Sequence, residues 1–136
     1  MNAVVEKIDA ARTLSKMFAA EHLGFSRPDG WTLLAEHVDV HKYWLSRELN
    51  LDVSWDEAVF SWYETVMVPI KRVVDSWEFR SAFPRQSNGD LYLAVSDHWH
   101  YLKERSSDVT PEAAARSFVT HFGHGVARWF SRFLLP

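Results

Sequence analysis

The chain has 136 residues, of which 47% are hydrophobic, 15% aromatic and 24% charged. This length suits one domain with a sizeable core, and the aromatic content excludes intrinsic disorder. Lys and Arg number 15 against 18 Asp and Glu, a net charge of −3, so general nucleic-acid binding is not expected. The chain has no cysteine, which excludes disulfides, thiolate metal sites and cysteine nucleophiles.

The first part of the chain mixes charged and apolar residues at helical spacing. Charges spread over the first 23 residues are atypical of a signal peptide or a membrane span. We therefore expect a cytoplasmic protein with no transmembrane segment. The spacing predicts a first helix from Ala3 to about His22, with Gly24 as its C-cap glycine.

Two further helices are predicted before the middle of the chain. An apolar stripe at steps of three and four predicts a second helix from Trp31 to about Asn50. Ser54 and Glu57 form a capping box, which predicts the start of a third helix. Because proline cannot donate a backbone hydrogen bond, we expect a kink or break just before Pro69, followed by a short helix over Ile70 to Trp77.

The second half of the chain has one predicted surface loop and three predicted helices. Turn-forming residues predict the loop from Pro84 to Gly89. Helices follow from about Asp90 to Arg105 and, after a Thr110 cap, from Pro111 to about Phe122. A short amphipathic helix is expected from Val126 to Leu135. No period-two alternation is present, so the predicted class is all-α.

An internal repeat relates the two halves of the chain. His41, Trp44 and Leu45 match His98, Tyr101 and Leu102 at an offset of 57, and Ser54 and Ser61 match Thr110 and Ser117 at an offset of 56. Each unit reads as a helix, a turn ending in Asp-Val, a hydroxyl cap and a second helix. We predict two helical hairpins, at about 31–66 and 90–122, related by a pseudo-twofold axis within a single helical domain of residues 1–136. Chance similarity between capped hairpins is the alternative.

These repeated segments also resemble a known family. The run Phe83–Leu93 resembles the FPGRT..DLYLW segment of an uncharacterised bacterial helical domain, and His41–Trp62 resembles its HRYFLS…EEA..WY segment. The resemblance covers about Trp31 to Phe122 and departs at Asn88-Gly89, at Ala94 where Trp is usual, and in the tail. It implies a helical fold and a regulatory or accessory role, and it carries no catalytic residue or ligand.

Histidines are the candidate metal ligands. His37 and His41 lie four residues apart on one helix, and the repeat places His41 and His98 where they could approach across the pseudo-twofold axis. With nitrogen and carboxylate ligands the metal would be zinc, iron, nickel or manganese, and the further candidates to complete the site are Asp97, His100, His121 and His124. The alternative is that these histidines pack in the core and bond to neighbours. The chain has no ferritin-like tetrad and no HExxH motif, so no cofactor is predicted, and a divalent transition metal is the alternative.

No catalytic residue is assigned, because no serine lies in a strand-to-helix elbow. The tail is basic and amphipathic, and we predict that it contacts a partner through Trp129, Phe130, Phe133, Arg128 and Arg132. That partner is the protein itself or another protein. Packing on its own domain and contact with a membrane surface are the alternatives.

The sequence therefore favours a non-catalytic interaction or regulatory module that can self-associate. The alternative is a His-rich enzyme or sensor that binds a metal or ligand. A helix-turn-helix DNA binder is disfavoured by the net acidity.

Overall fold

A computed structural model describes residues 3–123, and the side chains of residues 9–123. This part of the chain contains helices and no strands, which confirms the all-α class. The helices are α1 Ala3–Met17, α2 Gly30–Leu49, α3 Trp55–Trp62, α4 Val68–Val74, α5 Trp77–Ala82, α6 Asn88–Lys103 and α7 Pro111–Phe122. None of these helices is long and apolar enough to span a bilayer. The helix predicted from Val126 to Leu135 lies outside the described residues.

Side-chain caps fix several helix starts. The Ser54 hydroxyl accepts from the Glu57 amide at 3.2 Å and donates to the Glu57 carboxylate at 3.0 Å, so the predicted capping box is present. Thr110 caps α7 by accepting from the Ala113 amide at 3.1 Å. A third hydroxyl, that of Ser76, accepts from the amide of Phe79 at 3.3 Å and begins α5. The sequence analysis did not predict this six-residue helix.

The end of the first helix differs from the prediction. Helix α1 ends at Met17, and a 3₁₀ turn follows over Ala19–Glu21. The left-handed residue is His22, with φ 53°, and not Gly24. Gly24 instead lies in a loop that docks elsewhere, because its amide donates to Asn88 Oδ1 at 2.8 Å.

Of the kink or break expected near Val66 to Pro69, the break does not occur. The chain stays helical from α3 into α4 through a π turn at Tyr63–Met67. Hydrogen bonds in a π turn reach back five residues, so the helix can pass the proline ring and its missing amide hydrogen without ending. Pro69 is the second residue of α4, directly after the π turn.

One cluster of buried side chains forms the core. Helix α2 packs against α1 and α3, α6 packs against α7, and α4 packs against both α6 and α7. The largest fully buried side chains include Trp62, Tyr92, Phe79, Phe83, Phe118, Leu14 and Leu34. Aromatic rings therefore fill a large part of the core.

The loop between α1 and α2 docks on the start of α6. The Gly89 amide donates to the Gly24 carbonyl at 2.9 Å, and Asn88 Nδ2 donates to the His22 carbonyl at 3.1 Å. The Ser26 amide donates to the buried Asp90 carboxylate at 3.1 Å. Asn88 and Gly89 thus form the contact with this loop.

We expect Gly89→Ala to lower the free energy of unfolding by about 1–3 kcal/mol, although alanine favours helices. A Cβ at Gly89 would lie 2.5 Å from the Gly24 carbonyl oxygen and 2.6 Å from the Phe25 ring, so the loop would have to move. Gly24→Ala is the matched control, because its nearest non-neighbouring atom would be 3.8 Å away. Urea denaturation compares the two variants, and equal losses would contradict the close approach.

Candidate functional site

Helices α2 and α6 lie side by side and run in the same direction. His37 Nδ1 is 3.0 Å from Ser96 Oγ, and His37 Nε2 is 3.4 Å from Asp97 Oδ1. The loop that precedes α2 docks on the first turn of α6, through the Gly89 amide on the Gly24 carbonyl and the Ser26 amide on the Asp90 carboxylate. Because both helices begin at the same end, the C-terminal turns of α2 and α6 lie at the opposite end together.

His41 and His98 each bond to a serine of their own hairpin. His41 Nε2 is 2.9 Å from Ser61 Oγ, and His98 Nε2 is 3.0 Å from Ser117 Oγ. These four residues occupy matching places in the predicted repeat, so the same hydrogen bond closes both hairpins. This equivalence supports the hypothesis of a duplication.

The structure does not bring the three predicted metal ligands together. His37 turns to α6, His41 to Ser61 and His98 to Ser117. In residues 9–123, no group of three or more His, Asp or Glu side chains is arranged to hold a metal ion. The metal site stays a prediction, and each of these histidines has a packing role of the kind given as the alternative.

The pair formed by His37 and Asp97 is partly shielded from solvent, with side-chain exposures of 13% and 35%. Burial lowers the pKa of His37 to about 4, with the charge of His100 adding to the effect. Burial raises the pKa of Asp97 to about 7. The folded protein therefore favours the uncharged form of both side chains.

Ser96, His37 and Asp97 have the composition of a catalytic triad but not its accessibility. Ser96 is fully buried within α6, so its hydroxyl cannot reach a substrate. The sequence analysis did not predict this contact. The only indication of this contact is that His37 lies on the side of α2 that faces α6.

Ser117 links two imidazole rings. His121 Nδ1 is 2.8 Å from the Ser117 carbonyl oxygen and 3.3 Å from Ser117 Oγ. A carbonyl oxygen only accepts, so His121 Nδ1 is the donor in this contact. The Ser117 hydroxyl, which accepts from His121, is then free to donate to His98 Nε2.

A cavity of about 610 Å³ lies beside these imidazoles, between α6 and α7. Burial lowers the pKa of both His98 and His100, which favours neutral rings. The described lining residues include neither Lys nor Arg, and they are Asp97, His98, His100, Tyr101, Leu102, Glu104, Ser117, His121 and Phe122.

Exposed aromatic side chains paired with arginines lie at the C-terminal turns of α2 and α6. The Arg47 guanidinium lies 5.7 Å from the Tyr43 ring centre and 5.5 Å from that of Trp44. Arg105 lies 4.5 Å from the Tyr101 ring centre. Trp44 and Tyr101, which match in the repeat, are 53% and 48% exposed. We call these five residues the aromatic–arginine end.

The tail residues predicted to contact a partner lie outside the described part of the chain. They are Trp129, Phe130, Phe133, Arg128 and Arg132. Their role therefore stays a prediction. The aromatic–arginine end, which consists of one cluster on α2 and one at the end of α6, has a similar composition.

Neither a family model, nor a curated protein, nor a solved structure matches this chain. The resemblance to a bacterial helical domain therefore stays a prediction from the sequence. Any function has to be argued from the contacts described above.

Proposed function

We propose that this protein is a non-catalytic interaction module that associates with a second copy of itself through the aromatic–arginine end. The observation that carries the proposal is the exposure of Trp44 and Tyr101 at matching helix ends, each beside an arginine. Trp, Tyr and Arg are the residue types that contribute most often to the energetic centre of protein interfaces.

The arginines also hold this surface in place. Arg47 donates to the Tyr43 hydroxyl at 3.2 Å while its guanidinium lies near both neighbouring rings. Such contacts reduce the side-chain freedom that is lost on binding, so more of the interaction energy appears as affinity. A loose set of exposed rings would be a weaker candidate.

The charges at this end favour a second copy over a strongly acidic or basic partner. Both signs are present in the last turns of α2 and α6 and the loops that follow, on Lys42, Arg47, Lys103, Arg105, Glu48, Asp52, Glu104 and Asp108. Lys42 and Asp52 already approach to 3.5 Å. A surface that carries both signs can complement itself after a twofold rotation, as in most homodimers.

We also propose a cytoplasmic location, which the lack of cysteine supports, because cysteine is the residue that an oxidising compartment would use for stabilisation.

Sedimentation velocity of the full chain tests the association. We expect a dimer in the micromolar range, and we expect the double variant Trp44→Ala/Tyr101→Ala to raise the dissociation constant at least about tenfold. Trp77→Ala is the control, because it removes an exposed tryptophan side chain that lies on α5, outside the proposed surface. Trp77 is 78% exposed.

A wild-type chain that stays monomeric at about 100 μM would contradict self-association. If the double variant associates normally while Trp129→Ala/Phe133→Ala does not, the interface lies on the tail and the proposed surface is wrong. Loss of association in the Trp77→Ala control as well would also contradict the assignment.

A further inference from the structure

The cavity between α6 and α7 is lined by acceptor groups with unused capacity. The Asp97 carboxyl group makes a polar contact with His37, at 3.4 Å, through one of its two oxygens. The Glu104 carboxylate and the His100 imidazole make no side-chain hydrogen bond within residues 9–123. A guest that donates hydrogen bonds would therefore find free partners here.

The electrostatics of the lining favour a positive guest. Burial is the main cause that lowers the pKa of His100; the charge of Lys103 lowers it further, and the negative charge of Glu104 raises it. The nearest cation on this helix, Lys103, lies with its ammonium 4.2 Å from the Trp99 ring centre and is not among the described lining residues. Asp97 and Glu104 are among the described lining residues, whereas Lys and Arg are not, so an anionic guest would contact carboxyl groups directly.

The rest of the wall is apolar. Leu102 and Phe122 line the cavity, as does the Tyr101 ring, one side of which is covered by Arg105. A volume of about 610 Å³ lies within the usual range for sites that bind small organic molecules. A guest with an apolar body would use this wall, whereas a bare metal ion would not.

We propose that this cavity binds a small organic amine. Its protonated nitrogen donates to the carboxyl groups of Asp97 and Glu104 and to the His100 imidazole, and its apolar body packs against Leu102 and Phe122.

A metal ion fits the same residues less well. The imidazole nitrogens His98 Nε2 and His121 Nδ1 are already bonded to Ser117. No group of three ligating side chains is gathered within residues 9–123. An ammonium group needs only two or three acceptors, and its affinity then depends on the charge of Asp97. Because the pKa of Asp97 is raised to about 7, amine affinity should increase between pH 6 and pH 8.

Nuclear magnetic resonance titration of the full chain tests this site with 2-phenylethylamine as the probe. We expect saturable shifts of the cavity residues with a dissociation constant of about 1 mM, which is typical for a ligand this small. Two probes of nearly the same shape serve as controls. 2-Phenylethanol, which has no charge, should bind at least about tenfold more weakly, and phenylacetate should not bind at all.

Variants locate the site. Glu104→Gln, at an exposed position, and Asp97→Asn should each weaken amine binding at least about fivefold. Glu64→Gln removes the same charge from an exposed site on the π turn and should change nothing. Trp44→Ala, expected to weaken self-association, should leave amine binding intact, so this proposal and the proposed function can fail separately.

Four results would overturn the amine site. One is the absence of saturable shifts at the cavity, and another is equal binding of the amine and the alcohol. The third is a set of nuclear Overhauser contacts, without the probe, that place residues after Gly123 inside the cavity, since the chain itself would then be the occupant. Binding that survives both Glu104→Gln and Asp97→Asn would overturn it as well.

Discussion

Replacing Phe118 by alanine is expected to lower the free energy of unfolding by about 3–5 kcal/mol, because the change opens a cavity where α5 and α7 meet. Phe118 is fully buried. Its ring stacks on Phe79 with centroids 6.1 Å apart and lies 5.2 Å from Phe83 and 5.9 Å from His98. Few neighbours can collapse into the space, because each of these rings is held by its own helix or cap.

Phe60→Ala is the matched control for this prediction. Phe60 is 63% exposed on α3, so the same truncation should change stability by less than about 0.5 kcal/mol. Urea denaturation followed by circular dichroism measures both variants. A loss below about 1 kcal/mol for Phe118→Ala would contradict the packing of α7 on α5.

Asp97→Asn and His37→Gln are expected to change the pH dependence of stability in opposite directions. In the folded protein, burial lowers the pKa of His37 to about 4 and raises the pKa of Asp97 to about 7. In the unfolded chain both return to ordinary values, so between about pH 4 and 6.5 His37 is charged and Asp97 is ionised. Folding then transfers a proton from the histidine to the carboxylate. The proton count stays the same, and the pair adds little pH dependence.

Each variant removes one of the two titrating groups, so the proton change of the other group on folding is no longer cancelled. In Asp97→Asn the remaining histidine binds a proton more tightly when unfolded. Its contribution to stability is present above about pH 6.5 and is lost as the pH falls toward 4. In His37→Gln the remaining carboxyl binds a proton more tightly when folded. The contribution of Asp97 to stability is present below about pH 4, the pKa of this carboxyl group in the unfolded chain. It is lost as the pH rises through 7.

Denaturant unfolding of both variants at pH 4.5, 5.5 and 6.5 measures the effect. A single uncompensated proton gives a slope of at most about 1.4 kcal/mol per pH unit, and partial exposure of Asp97 makes its slope smaller. Subtracting the free energy of unfolding of one variant from that of the other at each pH cancels the contribution of all other titrating groups. Parallel curves for the two variants would show that the pair is not held in its uncharged form.

Features that depend on neighbouring residues could be predicted from the sequence. Ser54 and Thr110 identified helix starts correctly, because a cap needs only the next three residues. Helix α5 was missed because it is too short to show an apolar period. The docking of Gly24 on Asn88 was missed because it joins residues 64 positions apart.

The sequence could predict which histidines and serines occupy matching positions, but not which pairs of residues are in contact. The repeat aligned His41 with His98 and Ser61 with Ser117, and the structure joins each histidine to its serine. The expectation that the two histidines could approach one another needed the direction in which each ring points, which depends on the packing of α3 and α7. The contact between His37 and Asp97 depends on the packing of α2 against α6, and a local pattern does not specify this.

The π turn at Tyr63–Met67 allows one continuous helix to serve both halves of the molecule. An extra residue in a helical turn rotates everything after it by about 100°. The segment before the turn packs on α2, and the segment after it packs on α6 and α7. Glu21 spans the change by bonding to both Tyr63 and Lys71. A helix shared in this way makes the folding of the two hairpins a single cooperative event, since opening either hairpin removes packing from the other.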